Sequence, residues 1–185
     1  QMKILIIEDE NELADSISEY LSEENYLCEF ARAYNQALEK INSFHYDCIL
    51  LDIMLPDGNG MNILEELKRQ DKQDGVIIIS AKNALDDKIK GLQIGADDYL
   101  TKPFHLSELA ARIFSVIRRK QFGNSNTVRQ NELEIDLLAK SISVHNHPVI
   151  LTKKEFDLLL YFVGNKNRVI SKSTLAEHLS GDFAD

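Results

Sequence analysis

The stretch of sequence that decides the fold is Asp47-Cys48-Ile49-Leu50-Leu51-Asp52-Ile53-Met54-Leu55-Pro56-Asp57-Gly58-Asn59-Gly60. It begins with a short apolar run, which is typical of a strand buried on both faces. It ends in a mixture of proline, glycine, aspartate and asparagine, which indicates a turn before the next helix. Asp52 lies between these parts, at the predicted carboxyl end of the strand. An acid in this place is either a loop-capping residue or part of a ligand site, because ligands of open parallel sheets bind where the strands end.

Similar apolar runs recur along the first part of the chain, and helical patterns separate them. The runs predict strands at 3–7, 26–31, 47–51, 76–79 and 99–101. Apolar residues at spacings of three and four predict helices at 11–24, 35–44, 61–70, 84–94 and 106–119. The connections are too long for hairpins, so the strands should be parallel and the helices should cover both faces. We therefore predict an α/β domain over residues 1–120, with a five-stranded, parallel, doubly wound sheet.

The sequence after residue 120 has a different character. Residues 121–130 are polar and aperiodic, which predicts a linker. Apolar and polar residues alternate at 133–137 and 141–144, which predicts antiparallel strands. A turn predicted at 146–148 leads into the apolar residues 149–151. Thr152 and Glu155 are spaced as a capping box, which starts a helix that ends near residue 164. With a further helix predicted after Ser171, residues 131–185 form a second domain of the α+β class.

Composition excludes some classes of function. The formal net charge is −9, and most of the negative excess lies before residue 121. That charge favours cations and gives no sign of nucleic-acid binding by charge alone. Cys28 and Cys48 lie in strand-like apolar runs, so we expect reduced residues of a cytoplasmic protein. No apolar run reaches the ~18 residues of a membrane span, so we expect no membrane segment.

Polar residues follow the predicted strands at the ends that should meet. Glu8 and Asp9 follow the first strand, Asp52 the third, Ser80 the fourth and Lys102 the fifth. Singly, they could be loop acids, a helix cap and a solvated cation. If strands one, three, four and five are neighbours, these side chains converge on one crevice. Three carboxylates there require a divalent cation, and all-oxygen ligands favour Mg²⁺. Asp52 is then a nucleophile for a phosphoryl group, and Lys102 neutralises the phosphoryl oxygens.

With these residues in place, segment 2–120 resembles the receiver domain (flavodoxin/CheY-like fold) of a two-component response regulator. The most similar stretches are residues 52–60 and Gly95-Ala96-Asp97-Asp98-Tyr99-Leu100-Thr101-Lys102-Pro103-Phe104. The resemblance implies that Asp52 accepts a phosphoryl group from a sensor histidine kinase. It also implies phosphate contacts from Ser80 and Lys102, and Mg²⁺ ligands from Glu8, Asp9, Asp52 and the main-chain carbonyl of Met54.

Two further features are implied by the same resemblance. The Lys102–Pro103 peptide should be cis, a form that is common only before proline. Tyr99 should be the switch aromatic, which turns inward when phosphate on Asp52 draws the hydroxyl of Ser80 towards it. The simpler interpretation of Tyr99, a half-buried aromatic of a strand, is compatible with this role.

Helix 84–94, strand 99–101 and helix 106–119 are similar to the face through which OmpR/PhoB-type regulators form homodimers. The residues implied in that face are Lys88, Ile89, Leu92, Asp97, Asp98, Glu108, Ala110 and Arg112. Lys88 would pair with Glu108, and Asp98 with Arg112, across the subunits, where such rim pairs give orientation more than affinity. The alternative is ordinary surface charge.

Residues 131–185 resemble the start of the winged-helix DNA-binding domain of that subfamily. His178-Leu179 stand where the family has an apolar residue followed by tryptophan. The recognition helix and C-terminal hairpin are missing from the pattern, so we expect a truncated domain. Base contacts in this fold come from the recognition helix, so DNA binding is expected of the full-length protein.

Three functions compete at this stage. The first is a phosphorylation-switched transcription regulator, which is not a turnover enzyme. The second is a Mg²⁺-dependent phosphohydrolase with an aspartyl nucleophile, which needs an acid two residues later to protonate the leaving group. Met54 occupies that position and disfavours the enzyme. The third is an adaptor that signals by protein contact alone, which residues 131–185 disfavour unless the expected truncation is natural.

Overall fold

The computed structural model describes residues 2–81, 85–166, 169–173 and 175, with backbone only for residues 85–87. The chain divides into two compact units, one formed by Met2–Lys120 and one that begins at Gln121. Each unit has its own hydrophobic core.

The first unit alternates strands and helices along the chain. Its elements are β1 (Met2–Ile7), α1 (Asn11–Glu23), β2 (Tyr26–Ala31), α2 (Tyr34–Ser43), β3 (Cys48–Asp52), β4 (Met54–Leu55), β5 (Gly58–Asn59), α3 (Gly60–Arg69), β6 (Gly75–Ala81), α4 (Leu85–Ile94), β7 (Asp98–Lys102) and α5 (Leu106–Phe122). The short strands β4 and β5 form an antiparallel hairpin directly after β3. Residue 84, the predicted start of α4, lies outside the described residues.

The main sheet has five parallel strands in the order β2-β1-β3-β6-β7. This confirms the predicted α/β fold, and each strand begins and ends within two residues of its predicted place. β3 is central and fully buried, which explains why its sequence shows no polar alternation. The order makes β1, β3, β6 and β7 consecutive neighbours, so their carboxyl ends share one edge of the sheet.

Odd-numbered and even-numbered residues of a strand pack on opposite faces of the sheet. In β1 and β3, the odd-numbered Leu5, Ile7, Ile49 and Leu51 pack with α2 and α3. The even-numbered residues of the same strands pack with α1 and α5. Each fully buried aliphatic side chain contributes about 1.5–3 kcal/mol of hydrophobic free energy. The two cores therefore fix the register of the strands, and with it the position of every residue at their ends.

The second unit is a small antiparallel sheet with one described helix. Its elements are β8 (Thr127–Gln130), β9 (Leu133–Asp136), β10 (Ser141–Val144), β11 (His147–Val149) and α6 (Lys153–Gly164). The strand order is β11-β10-β9-β8. Thr152 and Glu155 form the predicted capping box at the start of α6. Phe156 and Leu160 of this helix pack on Ile135 and Ile142 of the sheet.

Two predictions for this region need correction. Residues 121–130 are not simply a linker, because α5 continues to Phe122 and residues 127–130 form β8. β8 is an edge strand with one apolar residue, Val128, so its sequence carries no alternation. The predicted turn at 146–148 lies instead at His145 and Asn146, whose φ angles are 51° and 63°. The helix predicted after Ser171 lies mostly outside the described residues.

Candidate functional site

Four polar residues lie at the shared edge of the sheet. Glu8 directly follows β1, Asp52 ends β3, Ser80 is the penultimate residue of β6, and Lys102 ends β7. Glu8, Asp52 and Ser80 are only 2%, 7% and 4% exposed. Asp9 follows Glu8 and is exposed. Burial of polar groups at this level is unusual and requires partners within the site.

Lys102 supplies the partner for two of the acids. Its Nζ lies 2.7 Å from Oε2 of Glu8 and 2.6 Å from Oδ2 of Asp52. Glu8 is 94 positions and Asp52 is 50 positions away from Lys102 in sequence. The structure therefore brings together the first, third and fifth predicted strand ends.

The carboxylates of Glu8, Asp9 and Asp52 form a compact group. One oxygen from each lies within 4.8 Å of the other two. Like charges at this distance repel, and one ammonium offsets only part of the repulsion. Oxygen-only donors of this kind suit a hard divalent cation such as Mg²⁺.

Burial and charge shift the pKa values of two site residues. Burial raises the pKa of Glu8, the charge of Asp52 adds to the effect, and the hydrogen bond from Lys102 offsets it only in part. Burial acts to lower the pKa of Lys102, but its hydrogen bonds to Asp52 and Glu8 outweigh this, and its pKa is raised. Lys102 is therefore an ammonium at neutral pH, while burial disfavours the ionised form of Glu8.

The loop after β3 holds the second oxygen of Asp52. Oδ1 of Asp52 accepts a hydrogen bond of 2.8 Å from the amide of Met54, whose side chain is 75% exposed. The loop then turns back, and the amide of Gly60 donates to the carbonyl of Ile53. A Cβ atom at Gly60 would lie 2.1 Å from the carbonyl oxygen of Asp52, so only glycine fits. The sequence predicts only a turn at Gly60 and carries no signal for this contact with Asp52.

Asp57 in the same loop is a second residue that sequence reasoning missed. Its carboxylate accepts hydrogen bonds from the amides of Tyr34 and Asn35, at the start of α2. No local sequence signal reveals such a contact, because the partners are more than 20 residues apart.

The register of the sheet places Ser80 beside the two charged strand ends. Asp52 is paired with Ile79, one residue before Ser80, and Lys102 is paired with Ala81, one residue after it. The Lys102–Pro103 peptide is cis, as predicted. These pairings put Ser80 within the same edge of the sheet as Asp52 and Lys102.

Tyr99 lies in β7 and is buried rather than half-buried, with 6% of its surface exposed. Its ring belongs to the core on the α2–α3 side of the sheet. Nζ of Lys88 lies 5.5 Å from the centre of the ring, within range of a cation–π interaction. The switch role of Tyr99 stays a prediction.

The apolar residues of the predicted dimer face are accessible in the single chain. Ile89 is 48% and Leu92 is 44% exposed, while Ala110 is partly buried. Exposed aliphatic residues three positions apart on one helix form a small apolar patch on α4.

The charged residues of that face have partners within the single chain. Arg112 pairs with Asp98 at 2.9 Å and with Glu108 at 2.8 Å. Asp97 pairs with Lys120 at 3.0 Å. A dimer that uses Arg112 and Asp98 across its interface would have to exchange these pairs.

In the described part of the chain, no helix has the length and apolar character needed to cross a membrane.

Comparison with known families gives two matches. Residues 4–114 match the family described as response regulator receiver domain, and residues 146–185 match the one described as transcriptional regulatory protein, C terminal. The first match spans the five-stranded sheet except for the first two residues of β1, and it includes all the site residues. The second begins in the β10–β11 turn and continues beyond α6.

Curated relatives and solved structures agree with these matches. The chain is 38% identical to transcriptional regulatory protein CiaR of Streptococcus pneumoniae, over all of this chain and 82% of the relative. It is 39% identical to response regulator ArlR of Staphylococcus aureus, over 97% of this chain and 80% of the relative.

Among solved structures, the receiver domain of Francisella response regulator 1452 is 36% identical with a TM-score of 0.61, over 64% of this chain and 98% of that one. DrrB, a Thermotoga maritima OmpR/PhoB homologue, is 26% identical with a TM-score of 0.58, over 96% of this chain and 79% of that one. The chain therefore belongs to the two-component response regulators of the OmpR/PhoB type, with a receiver domain followed by a transcriptional regulatory domain.

Proposed function

We propose that this response regulator is switched by phosphorylation of Asp52. A sensor histidine kinase supplies the phosphoryl group in the presence of Mg²⁺, the phosphorylated receiver dimerises, and dimerisation controls DNA binding by the full-length protein. The observation that carries the proposal is the group formed by Glu8, Asp9 and Asp52, with Lys102 bridging Glu8 and Asp52.

Asp52 is held in one orientation, which suits a nucleophile. Lys102 contacts Oδ2 and the Met54 amide contacts Oδ1, so the carboxylate cannot rotate freely. A carboxylate oxygen attacks phosphorus, the new P–O bond replaces the P–N bond to the kinase histidine, and the departing imidazole takes up a proton. The ammonium of Lys102 then neutralises oxygens of the acyl phosphate.

The donor set fits Mg²⁺, with Glu8, Asp9, Asp52 and the main-chain carbonyl of Met54 as the proposed ligands. Three carboxylate oxygens lie within 4.8 Å of one another, and the described site offers oxygen donors only. When bound, the ion supplies positive charge that reduces repulsion between the acids and an incoming phosphoryl group.

The output of the switch is proposed to pass through Ser80 and Tyr99. Phosphate on Asp52 would take a hydrogen bond from the hydroxyl of Ser80, and the movement would reach Tyr99 on the neighbouring strand. Lys88 lies over the Tyr99 ring and adjoins Ile89 in the apolar patch of α4. This path leads from the acceptor to the proposed dimer face of α4, β7 and α5.

The site is proposed to hold phosphate rather than to turn over substrate. Met54 lies two residues after the nucleophile and has no proton to give to a leaving group. A cytoplasmic location is part of the proposal, because Cys28 and Cys48 are free thiols and the proposed partners are a kinase and DNA.

The test uses acetyl phosphate with Mg²⁺ and the mass of the intact protein. We expect one phosphoryl group on the wild-type chain and none on Asp52→Asn, because the amide is not a nucleophile. Asp71→Asn is the matched control, since it makes the same change at an exposed residue with φ of 52°, which asparagine tolerates. Equal phosphorylation of Asp52→Asn, or none of the wild type, would contradict the assignment.

A second test concerns the dimer. Beryllofluoride with Mg²⁺ mimics the acyl phosphate, and we expect light scattering to show a shift from monomer to dimer. Ile89→Lys should bind the anion and remain monomeric, because a charge replaces the centre of the apolar patch. Bound anion without a change in the mass of the wild type would contradict the proposed dimerisation.

A further inference from the structure

Helix α2 begins without a side-chain cap of its own. Its N-cap residue is Ala33, whose side chain makes no cap hydrogen bond. The carboxylate of Asp57 fills this role from the loop after β3. It accepts from the amide of Tyr34 and, at 3.1 Å, from the amide of Asn35, whose side-chain amide adds a bond of 3.2 Å. Two amides that a helix start leaves unpaired are thereby satisfied across more than 20 residues.

A second contact joins the same two segments. A Cβ atom at Gly58 would lie 2.5 Å from Cγ of Tyr34, so the tyrosine ring rests directly on the glycine. This packing is independent of the hydrogen bonds of Asp57. The β4–β5 hairpin (Met54–Asn59) is therefore attached to the start of α2 by both polar and van der Waals contacts.

Met54, at the start of the hairpin, contacts the proposed phosphoryl acceptor Asp52. Met54 pairs with Asn59 and Leu55 with Gly58, so the position of Asp57 and Gly58 determines that of Met54. The amide of Met54 donates to Oδ1 of Asp52. The start of α2 is thus connected to the acceptor carboxylate through one short hairpin.

Asp57 remains charged under ordinary conditions. The hydrogen bond from the Tyr34 amide, followed by that from Asn35, holds its pKa below the usual value. A charged cap complements the positive end of the helix dipole.

We propose that Asp57 is a positioning residue for phosphoryl acceptance. By fixing the hairpin on α2, Asp57 keeps the amide and carbonyl of Met54 in place beside Asp52. The inference rests on the proposed function of Asp52, and assigns to Asp57 control over the rate at which that residue is phosphorylated.

The chain offers a matched control at the opposite end of α2. Nζ of Lys72 donates to the carbonyls of Ile41 and Phe44, where the helix ends. Lys72→Ala removes a cap from the same helix without touching the hairpin. Glu39→Ala removes an exposed acid in the middle of α2 and controls for the change in net charge.

The experiment compares these variants in the full chain with Asp57→Ala and Asp57→Asn. The maximal rate and the KM for acetyl phosphate are measured with Mg²⁺, together with hydrogen exchange of the Tyr34, Asn35 and Met54 amides. Loss of a helix cap shifts a local equilibrium by about fivefold. We expect Asp57→Ala to lower the maximal rate about fivefold at unchanged KM, and to speed exchange at all three amides.

The other variants should respond differently. Asp57→Asn keeps one acceptor oxygen, so it should recover part of the rate. Lys72→Ala should lower the melting temperature, but the maximal rate of phosphorylation and the hydrogen exchange of the Met54 amide should stay unchanged. A wild-type rate in Asp57→Ala, or an equal loss of rate in Lys72→Ala, overturns the inference.

Failure of the proposed function has a separate signature. If the wild-type chain takes no phosphoryl group, the assignment of Asp52 is wrong whatever Asp57 does. Hydrogen exchange then decides whether Asp57 positions the hairpin, because continued protection of the Met54 amide in Asp57→Ala excludes it.

Discussion

The two ends of the parallel sheet both carry acidic residues, but they use them differently. At the carboxyl end, Glu8 and Asp52 face each other and share Lys102 as a common partner. At the amino end, Asp47, Asp74 and Asp97 directly precede β3, β6 and β7. Each of these three acids accepts from the main chain of another segment, rather than sharing a single cation.

The bonds at the amino end form a regular series. Asp47 accepts from the amide of Lys3 at 2.7 Å, and Asp97 accepts from the amide of Val76 at 2.9 Å. Asp74, which is 6% exposed, accepts from the amide of Tyr46. Hydrogen bonds from main-chain amides stabilise these carboxylates, and Asp97 has an ion pair with Lys120 in addition.

The comparison shows what separates structural acids from a functional site. Acids at the amino end join neighbouring strands and are individually satisfied. The acids at the carboxyl end outnumber the cations beside them, and this excess of negative charge is costly unless a metal cation binds there. Substitutions at the two ends should therefore differ in their response to Mg²⁺.

The largest loss in the free energy of unfolding is expected for Lys102→Met. Removal of the ammonium leaves Glu8 and Asp52 together without compensation, and breaking such a buried group costs about 3 kcal/mol. Urea unfolding without divalent ions should show this loss, and Mg²⁺ should recover part of it by binding the native site. Lys90→Met, at an exposed position of α4, should leave stability unchanged in both conditions. Equal losses with and without Mg²⁺ would show that the site does not take the ion.

A smaller loss is expected for Asp74→Ala at the opposite end. The amide of Tyr46 loses its buried acceptor, which costs about 2 kcal/mol. The melting temperature should fall, but phosphorylation by acetyl phosphate should proceed at the wild-type rate, and Mg²⁺ should give no recovery. Gln73→Ala, next to it and exposed, should behave as the wild type. A phosphorylation defect in Asp74→Ala would contradict the distinction between structural acids at the amino end and functional acids at the carboxyl end.

The smallest effect on stability is expected for Glu29, which lies in the middle of β2 and pairs with Lys40. Burial acts to raise the pKa of Glu29, but hydrogen bonds from Lys40 and Tyr46 outweigh it and lower the pKa below its ordinary value of 4.5. The native state then binds fewer protons than the unfolded state, so the stabilisation is present above pH 4.5 and is lost as the pH falls through the lowered pKa. Because Glu29 is partly exposed, we expect less than about 1 kcal/mol.

The measurement for Glu29 is the pH dependence of urea unfolding. Glu29→Gln should reduce the loss of stability below pH 4.5 relative to the wild type. Glu65→Gln, at an exposed acid of α3, makes the same change of residue type and serves as the reference variant. An unchanged profile in Glu29→Gln would show that its pairing with Lys40 contributes nothing.

Much of the first unit could be predicted because its signals are local. β-branched and aliphatic runs identify the strands, and the alternation of strands and helices requires a parallel sheet. Parallel strands have their carboxyl ends at one edge, so Glu8, Asp52 and Lys102 could be grouped on the condition that their strands are neighbours, which the strand order confirms. The confirmed Lys102–Pro103 cis peptide came from family resemblance rather than from a local physical signal.

The features that escaped prediction depend on contacts between distant segments. The cap formed by Asp57 joins residues 22 and 23 positions apart, and nothing in the pattern around Asp57 identifies α2 as its partner. β8 was missed because an edge strand in a small sheet needs only one apolar side chain. The pairs that Arg112 forms with Asp98 and Glu108 within one chain were not predicted either, and the pairing of Arg112 with Asp98 across subunits stays a prediction.

The close approach of Gly60 to the main chain of Asp52 limits how this protein can vary. Any side chain at position 60 would overlap the carbonyl of the acceptor residue, so the glycine and the length of the loop before it are fixed by geometry. Met54 and Pro56 in the same loop point to solvent and have no such restriction. Divergence among proteins that share this site should therefore accumulate on the exposed side of the loop, where new side chains alter access to the acceptor without moving it.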